Sequence, residues 1–304
     1  MKKIGYLFSG QGSQFANMGA DLYQSEPTYK QVIDAASEVL GFDLSQPDNM
    51  DDPQNVQMAI LAMSFGIYQT IANELPAPVA MTGLSLGEYS GLVASQALDF
   101  KTAIALIKDR SHYMEQAGIN HPGSMAAILK LAPSKVTEIC QTIPEAFPAN
   151  YNTATQTVIG GTDAGVKQAC EELKAAGAKR VVPLKVAVAS HTPLMQEASD
   201  NLAKRLKDVK FSPFQVPVIS NTTVEPFTDE NVKATLRAQL INPTHFEGDL
   251  NYIKDHYDVD TLIEIGPGET LSRFAKKTLK DVQTYHIDSV ETLNAVKQAI
   301  HTED

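Results

Sequence analysis

Residues 79–94 read Val79-Ala-Met-Thr-Gly83-Leu-Ser85-Leu-Gly87-Glu-Tyr-Ser-Gly-Leu-Val-Ala94. A short apolar run, the pattern Gly-x-Ser-x-Gly and a run of small residues predict a strand, a tight turn and a helix, which together form a nucleophile elbow. Glycine is favoured on both sides of Ser85 because side chains there would collide in so sharp a turn. The turn lifts the serine hydroxyl clear of the sheet and directs the first N–H groups of the helix toward a ligand. The stretch therefore predicts an α/β fold with a hydrolase-like parallel sheet core and a nucleophilic serine.

The composition is that of a globular chain with a substantial core. Its 304 residues favour one main domain with a smaller insertion, and 43% of them are hydrophobic. The net charge of −11 argues against general binding of nucleic acid, which requires a basic face. Two cysteines, Cys140 and Cys170, provide no disulfide framework and fit a reducing cytosol. No apolar run has the length of a signal peptide or a membrane span, so we expect a cytoplasmic protein without a membrane partner.

A second glycine-rich loop follows the first predicted strand, residues 3–8. The loop contains Gly10-Gln11-Gly12, and its backbone N–H groups can approach a ligand closely. It is either an ordinary strand-to-helix turn or a site where the N–H of Gln11 forms half of an oxyanion hole. In elbow enzymes the other half is the N–H that follows the nucleophile, here that of Leu86.

Residues 121–190 differ in pattern from the rest of the chain. The predicted elements are a strand at 123–129, a helix at 133–142, strands at 147–152 and 157–160, a helix at 163–176 capped by Asp163, and a strand at 179–189. The order βαββαβ is typical of a ferredoxin-like unit. We therefore expect a small ferredoxin-like subdomain at 121–190, inserted into a catalytic core made of 1–120 and 191–304.

The core carries alternating helices and strands. Predicted helices cover residues 17–40, 53–74, 101–117, 193–209 and 232–240, and another follows Gly266-Pro-Gly268. Predicted strands cover residues 216–221, 261–265 and 285–287. This alternation fits a parallel sheet with covering helices.

Two further polar residues are candidates for a site. His191 follows a predicted strand and precedes Thr192-Pro193, which places it at a strand end facing a cleft. Arg110 lies on a helix 25 residues after Ser85, together with Lys108 and His112, so sequence alone favours a solvated surface arginine. The other six histidines are expected at ordinary surface or core positions.

Seven motifs, taken together, resemble a known family. Phe8-Ser-Gly-Gln-Gly-Ser-Gln14, Gly83-Leu-Ser-Leu-Gly-Glu-Tyr-Ser90, Arg110 with Met114, Asn150-Tyr-Asn152, Ser190-His191, Gln239-Leu-Ile-Asn-Pro243 and Glu264-Ile-Gly-Pro-Gly268 occur in this order. Between about residues 3 and 290 the chain resembles the malonyl-CoA:acyl carrier protein transacylases of dissociated fatty-acid synthesis. Each motif alone is modest, whereas the ordered set is highly specific.

The resemblance implies the catalytic roles. Ser85 would be the nucleophile and His191 its base, because a serine hydroxyl needs an adjacent imidazole at neutral pH. The family has no triad aspartate, and a main-chain carbonyl near Gln239 would orient the imidazole. The N–H groups of Gln11 and Leu86 would hold the oxyanion.

The resemblance also implies the substrates. Arg110 would pair with the free carboxylate of malonate, and Asn152 and Gln239 would complete the substrate site. Malonyl-CoA would acylate Ser85, and the phosphopantetheine thiol of an acidic acyl carrier protein would then take the acyl group in a ping-pong reaction. No metal or bound cofactor is required. A local basic patch would steer the carrier, and the candidates are the helix ends at Lys204–Lys210 and Arg273–Lys280.

The chain departs from the family pattern at two places. The residue before the nucleophile is Leu84 where the family usually has His, which removes a polar group close to the site. The loop after Asn152 reads Thr153-Ala-Thr-Gln156 rather than Ser-Pro-Gly-Gln, which weakens the assignment of Asn152. Methylmalonyl also carries a carboxylate, so Arg110 does not exclude it.

Three other functions share these features. A thioester hydrolase would use the same serine with water as the acceptor, and a non-catalytic acyl-binding subunit would form no acyl-enzyme. The same transfer could also serve a polyketide or malonate-decarboxylating system, which only the accepting carrier protein would distinguish.

Overall fold

The computed structural model describes residues 2–186 and 188–302 of the chain. The strands among them are β1 (Ile4–Phe8), β2 (Ala80–Gly83), β3 (Ser124–Leu129), β4 (Ala146–Thr153), β5 (Gln156–Gly161), β6 (Arg180–Pro183), β7 (Val218–Ile219), β8 (Thr261–Ile265) and β9 (Gln283–Ile287). The α-helices are α1 (Ala20–Ser25), α2 (Pro27–Leu40), α3 (Pro47–Met50), α4 (Val56–Ile71), α5 (Leu86–Ala94), α6 (Phe100–Asn120), α7 (Pro133–Thr142), α8 (Asp163–Ala175), α9 (Gln196–Leu206), α10 (Val232–Gln239), α11 (Phe246–Tyr257), α12 (Thr270–Thr278) and α13 (Val290–Thr302).

A five-stranded parallel sheet forms the core, in the order β7-β2-β1-β8-β9. Its central strands β1 and β8 are buried at every position because helices cover both faces. Tyr6 and Phe8 pack into the large cluster with α2, α4, α5 and α6, whereas Leu7 faces the cluster with α11 and α12. Phe8 is level with Gly83 and with Ile265, so the loops that follow β1, β2 and β8 lie side by side at one edge of the sheet.

A separate four-stranded antiparallel sheet has the order β4-β5-β3-β6. Its elements follow the chain as β3-α7-β4-β5-α8-β6, and α7 and α8 cover one face with Val136, Ile139 and Leu173. This is the expected ferredoxin-like arrangement, and the predicted fold class is confirmed. The boundaries at residues 120/121 and 190/191 stay a prediction.

The last strand of the antiparallel sheet is shorter than predicted. The sequence predicts a strand over residues 179–189, but β6 ends at Pro183, where its ladder with β3 ends. The N–H of Leu184 still reaches the carbonyl of Met125 at 2.9 Å, and residues 185 and 186 form no strand. Ala187 lies outside the described residues. His191 therefore follows an irregular segment rather than a strand end, and its backbone is left-handed, with φ of 61°.

Other elements also differ from the prediction. The helix expected over 17–40 is divided into α1 and α2 because Pro27 starts a new helix. The cap of α8 is Thr162, whose hydroxyl accepts a hydrogen bond from the N–H of Gly165, rather than Asp163. The strand expected at 216–221 is reduced to β7, since only two residues pair with β2. The helix expected at 193–209 is a short 3-10 turn followed by α9, and helices α3, α11 and α13 are additional to the prediction.

The elbow explains both flanking glycines by close approach. A Cβ on Gly83 would lie 2.2 Å from the carbonyl carbon of Gly87, and a Cβ on Gly87 would lie 2.1 Å from the carbonyl oxygen of Phe8. Ser85 itself has φ of 53° and ψ of −99°, a conformation that an L-residue rarely adopts. The elbow thus packs against the end of β1, and the surrounding structure must hold Ser85 in place.

Among the described residues, no helix combines the length and apolar character that a membrane span requires.

Candidate active site

A cavity of about 860 Å³ opens where the loops of the parallel sheet face the antiparallel sheet. Six of the seven predicted site residues line it: Gln11, Ser85, Leu86, Arg110, Asn152 and His191. The seventh, Gln239, is completely buried and is hydrogen-bonded to residues of the cavity wall. The fold therefore brings together residues that are up to 228 positions apart in the chain, from Gln11 to Gln239.

Ser85 lies at the start of α5, and its backbone is held on both sides. Its N–H donates to the Oδ1 of Asn221 at 2.6 Å, and its carbonyl accepts from the Nε2 of Gln239 at 3.0 Å. Its hydroxyl accepts a hydrogen bond from the Nη2 of Arg110 at 3.2 Å. The hydroxyl is thus presented to the cavity by a fixed backbone.

His191 is buried and has a defined orientation. Its Nδ1 lies 2.7 Å from the carbonyl oxygen of Gln239, which can only accept, so Nδ1 carries the proton and Nε2 is free to act as a base. Burial, reinforced by the charge of Arg110, lowers the pKa of His191 to about 4, so the imidazole is neutral at pH 7. A main-chain carbonyl therefore occupies the place that an aspartate has in a triad. In the described structure the Ser85 hydroxyl bonds Arg110 and not His191; such bonds often form only with substrate present.

Arg110 is buried, with 1% of its surface exposed, so it is not the solvated surface arginine that its helix alone favoured, and the substrate-binding role that the resemblance implies stays a prediction. Its Nη1 donates to the Oε1 of Gln57 at 2.6 Å, and its Nη2 donates to the Oε1 of Gln239 at 3.1 Å as well as to Ser85. Among the described residues, its Nε has no hydrogen-bond partner and no carboxylate forms an ion pair with it.

The charge of Arg110 is thus held mainly by neutral oxygens. Burial lowers its pKa, while Tyr89 and Glu88 oppose that effect, and a guanidinium keeps its proton at any physiological pH. The guanidinium also lies over the ring of Tyr89 at 5.4 Å. A buried cation without a carboxylate is costly unless a ligand supplies the negative charge. The arrangement is suited to a ligand that carries a carboxylate.

The two predicted oxyanion donors lie on adjacent loops. Leu86 is the first residue of α5, so its N–H has no acceptor within the helix. The loop of Gln11 lies against the elbow, since a Cβ on Gly10 would be 2.4 Å from the carbonyl oxygen of Leu84. The side-chain Oε1 of Gln11 accepts from Gln57 at 3.3 Å. The role of both N–H groups stays a prediction.

Asn152 is on β4, at the opposite wall of the cavity. It is 5% exposed, and its Oδ1 has no hydrogen-bond partner among the described residues. A buried amide oxygen without a donor is available for a ligand N–H. Its role as a substrate residue also stays a prediction.

Four residues of the site were missed by sequence reasoning: Gln57, Glu88, Asn221 and Asp249, each at most 3% exposed. Glu88 was detectable, because it is a carboxyl in a helix of otherwise small and apolar residues, directly after the elbow. Burial raises the pKa of Glu88 to about 8, against the opposing effect of hydrogen bonds from Asn221 and Gln239. Asn221 and Asp249 carried no such signal, since their part depends on tertiary packing.

The fold is that of an acyltransferase. A family model described as an acyl transferase domain matches residues 5–298, and the chain belongs to that family.

Within the family, the chain is similar to curated and structurally solved transacylases. It is 36% identical to the malonyl CoA-acyl carrier protein transacylase of Bacillus subtilis over 315 residues, which covers 100% of this chain and 99% of that protein. It is 35% identical to the Escherichia coli K12 protein of the same name over 288 residues, which covers 91% and 93% of the two chains. The structure matches that of MCAT from Streptococcus pneumoniae with a TM-score of 0.93, 39% identity and coverage of 98% and 100%.

A further solved structure contains a partner protein. In that structure a type II PKS acyl-carrier protein is in complex with its malonyl-transacylase. This chain matches the structure with a TM-score of 0.93 and 33% identity, and the match covers 98% of this chain and 100% of that chain. The resemblance drawn from the ordered motifs is confirmed by these relatives.

The lowered pKa of His191 predicts the pH dependence of Ser85 reactivity. A neutral fluorophosphonate that modifies Ser85 should react at a constant rate from pH 8 to pH 5 or so, and the rate should fall with an apparent pKa of about 4. The pKa of His191 is lowered because burial disfavours the charged imidazolium, so the neutral, basic form persists to more acidic pH. Arg110→Ala should move the apparent pKa upward, because a positive charge close to the imidazole is lost. Circular dichroism at each pH would verify that the protein stays folded, and an apparent pKa near 6.5 in the wild type would contradict the assignment.

Proposed function

We propose that this chain transfers the malonyl group of malonyl-CoA to the phosphopantetheine thiol of an acyl carrier protein, through a malonyl ester on Ser85, and so supplies fatty-acid chain elongation. The observation that carries the proposal is the buried guanidinium of Arg110, which lies beside the Ser85 hydroxyl and has no carboxylate partner among the described residues. An acyl donor with a free carboxylate completes that site, whereas an acetyl group leaves the cation unpaired.

The first half-reaction acylates the enzyme. The Nε2 of His191 takes the proton of Ser85 as its oxygen attacks the thioester carbonyl, and the N–H groups of Gln11 and Leu86 stabilise the oxyanion. The C–S bond then breaks, and His191 returns the proton to the departing CoA sulfur. Malonyl-Ser85 remains.

The second half-reaction transfers the acyl group. His191 takes the proton of the phosphopantetheine thiol, whose sulfur attacks the ester carbonyl. The bond to the Ser85 oxygen breaks, and this oxygen takes the proton back from His191. Donor and acceptor use the same cavity in turn, and the chemistry requires no metal or bound cofactor.

Arg110 also controls the state of Ser85 in this scheme. Its Nη2 donates to the Ser85 hydroxyl. A malonyl carboxylate on the two terminal nitrogens takes over that hydrogen bond, because a charged acceptor is preferred to a hydroxyl. The hydroxyl is then free to donate to His191. Substrate binding thus prepares the nucleophile.

The carrier protein docks at α12 in this proposal. The residues Thr270 and Phe274 of α12 line the cavity, and Lys276 and Lys277 are exposed on the same helix. The alternative helix is α9. Its Arg205 is already paired with Asp109 at 2.6 Å, and no residue of α9 lines the cavity. An acidic carrier that binds α12 has a short path for its phosphopantetheine arm. Two free cysteines support a cytoplasmic location.

The mass of the intact protein, measured by mass spectrometry after mixing with malonyl-CoA, tests the proposed reaction. Wild type should gain one malonyl group, and Ser85→Ala should gain none. Arg110→Ala should slow malonylation by about 100-fold, since a buried charged hydrogen bond contributes about 3 kcal/mol. Arg110→Lys should recover only part of the rate, because lysine cannot bind both carboxylate oxygens in parallel.

Three outcomes of that experiment would contradict the proposal. Equal malonylation of wild type and Arg110→Ala would remove Arg110 from substrate recognition. When acetyl-CoA replaces malonyl-CoA in the mixture, acetylation as fast as malonylation would indicate an unselective acyltransferase. Release of CoA without an adduct would indicate a hydrolase.

Charge reversal tests the docking of the carrier. Lys276→Glu with Lys277→Glu should raise the KM for an acidic holo-carrier protein by about tenfold at low salt and leave malonylation of Ser85 unchanged. The matched control is Lys204→Glu with Lys207→Glu at the C-terminal end of α9, which should leave this KM unchanged. A larger effect of the α9 pair would place docking on α9 instead.

A further inference from the structure

The backbone of Ser85 is strained and must be held by its surroundings. Its φ of 53° and ψ of −99° are unfavourable for a residue with a side chain. Asn221 accepts from its N–H at 2.6 Å, and Gln239 donates to its carbonyl at 3.0 Å. Both side chains are fully buried, so no water replaces them. These two amides fix the position of the nucleophile.

One carboxyl group connects the two amides. The Oε1 of Glu88 accepts from the backbone N–H of Asn221, and its Oε2 accepts from the Nε2 of Gln239. Glu88 is fully buried, one turn after Ser85 on α5. It therefore joins the segment after β7 to the end of α10.

Asp249 sets the orientation of the side-chain amide of Asn221. Its Nδ2 donates to the Oδ2 of Asp249 on α11, and Asp249 also accepts from the Oγ1 of Thr82 at 3.2 Å. With Nδ2 engaged in this way, the amide oxygen must face the N–H of Ser85. Asp249 thus supports Asn221 without contact with the cavity.

The same network reaches the base. The main-chain carbonyl of Gln239 holds His191 at 2.7 Å, and the side chain of Gln239 is bonded to Glu88 and Ser85. A displacement of Gln239 would move the serine and the histidine at once. Glu88 contacts both Asn221, which supports Ser85, and Gln239, which supports His191.

We propose that Glu88 is a positioning residue that aligns Ser85 with His191 through Asn221 and Gln239, with Asp249 fixing the Asn221 amide. The inference rests on the proposed function, in which these two residues act as nucleophile and base. Glu88 does not line the cavity, so it acts only through its neighbours. A group of this kind changes the rate of acyl transfer and leaves the affinity for malonyl-CoA unchanged.

The test replaces the carboxyl group by an amide of the same shape. Glu88→Gln keeps one acceptor oxygen but turns an NH₂ group toward a donor, so one of the two hydrogen bonds is lost. We expect the kcat for malonylation and the rate of Ser85 modification by a neutral fluorophosphonate to fall about 10- to 100-fold. The KM for malonyl-CoA should stay within about threefold, because Gln57 still holds Arg110 through its own hydrogen bond.

Controls separate alignment from general stability. Leu293→Ala removes a buried side chain of α13 that does not line the cavity, and it should lower the melting temperature without changing fluorophosphonate reactivity. Asn221→Ala removes the acceptor of the Ser85 N–H and should reproduce the effect of Glu88→Gln, which provides a second variant if the first does not fold. The rates are compared only for variants with native circular dichroism.

Each result supports or overturns the proposal. Unchanged fluorophosphonate reactivity in folded Glu88→Gln or Asn221→Ala, with only a lower melting temperature, would show a purely structural role and overturn it. A loss caused by a higher KM alone would place Glu88 in substrate binding and overturn it as well. A wild type that reacts with fluorophosphonate but not with malonyl-CoA would refute the proposed function, while slower fluorophosphonate labelling of Glu88→Gln would still support the positioning role.

Discussion

The hydrogen bonds of Gln239 hold the site together. Its carbonyl orients His191, its Oε1 accepts from Arg110, and its Nε2 donates to Ser85 and Glu88. Because Gln239 is fully buried, no water can replace these bonds, and each loss would leave a polar group unpaired. One residue at the end of α10 thereby fixes the nucleophile, the base and the cation relative to one another. A triad aspartate is not required, since a backbone carbonyl already sets the tautomer of His191.

The second constraint is a positive charge buried without a carboxylate partner among the described residues. Arg110 is held by Gln57, Gln239 and Ser85, and its Nε has no hydrogen-bond partner in the described part of the chain. This arrangement costs stability, and proteins keep such features at functional sites. The same charge helps to keep His191 neutral, so the cation that selects the substrate also maintains the base. The charge would be matched only when a carboxylate enters, which links recognition of the acyl group to preparation of the serine.

Local patterns in the sequence predicted most of the fold. The elbow, the central strands and the βαββαβ order depend on periodicity and on glycine positions, which neighbouring residues determine. Strand β6 was predicted too long because its end depends on where β3 stops pairing, which is a tertiary property. The burial of Arg110 was equally inaccessible, since the pattern around it resembles a surface helix and only the ordered motifs suggested otherwise. Asn221 meets Ser85, and Asp249 meets Asn221, only after β7 and α11 pack near the elbow.

The most direct test of the central claim is a crystal structure of Ser85→Ala with malonyl-CoA bound. The account predicts both carboxylate oxygens of the malonyl group within about 3 Å of the terminal nitrogens of Arg110. It also predicts the thioester oxygen beside the N–H groups of Gln11 and Leu86. A carboxylate in solvent, or one held by another cation while Arg110 keeps only its bonds to Gln57 and Gln239, would contradict the account.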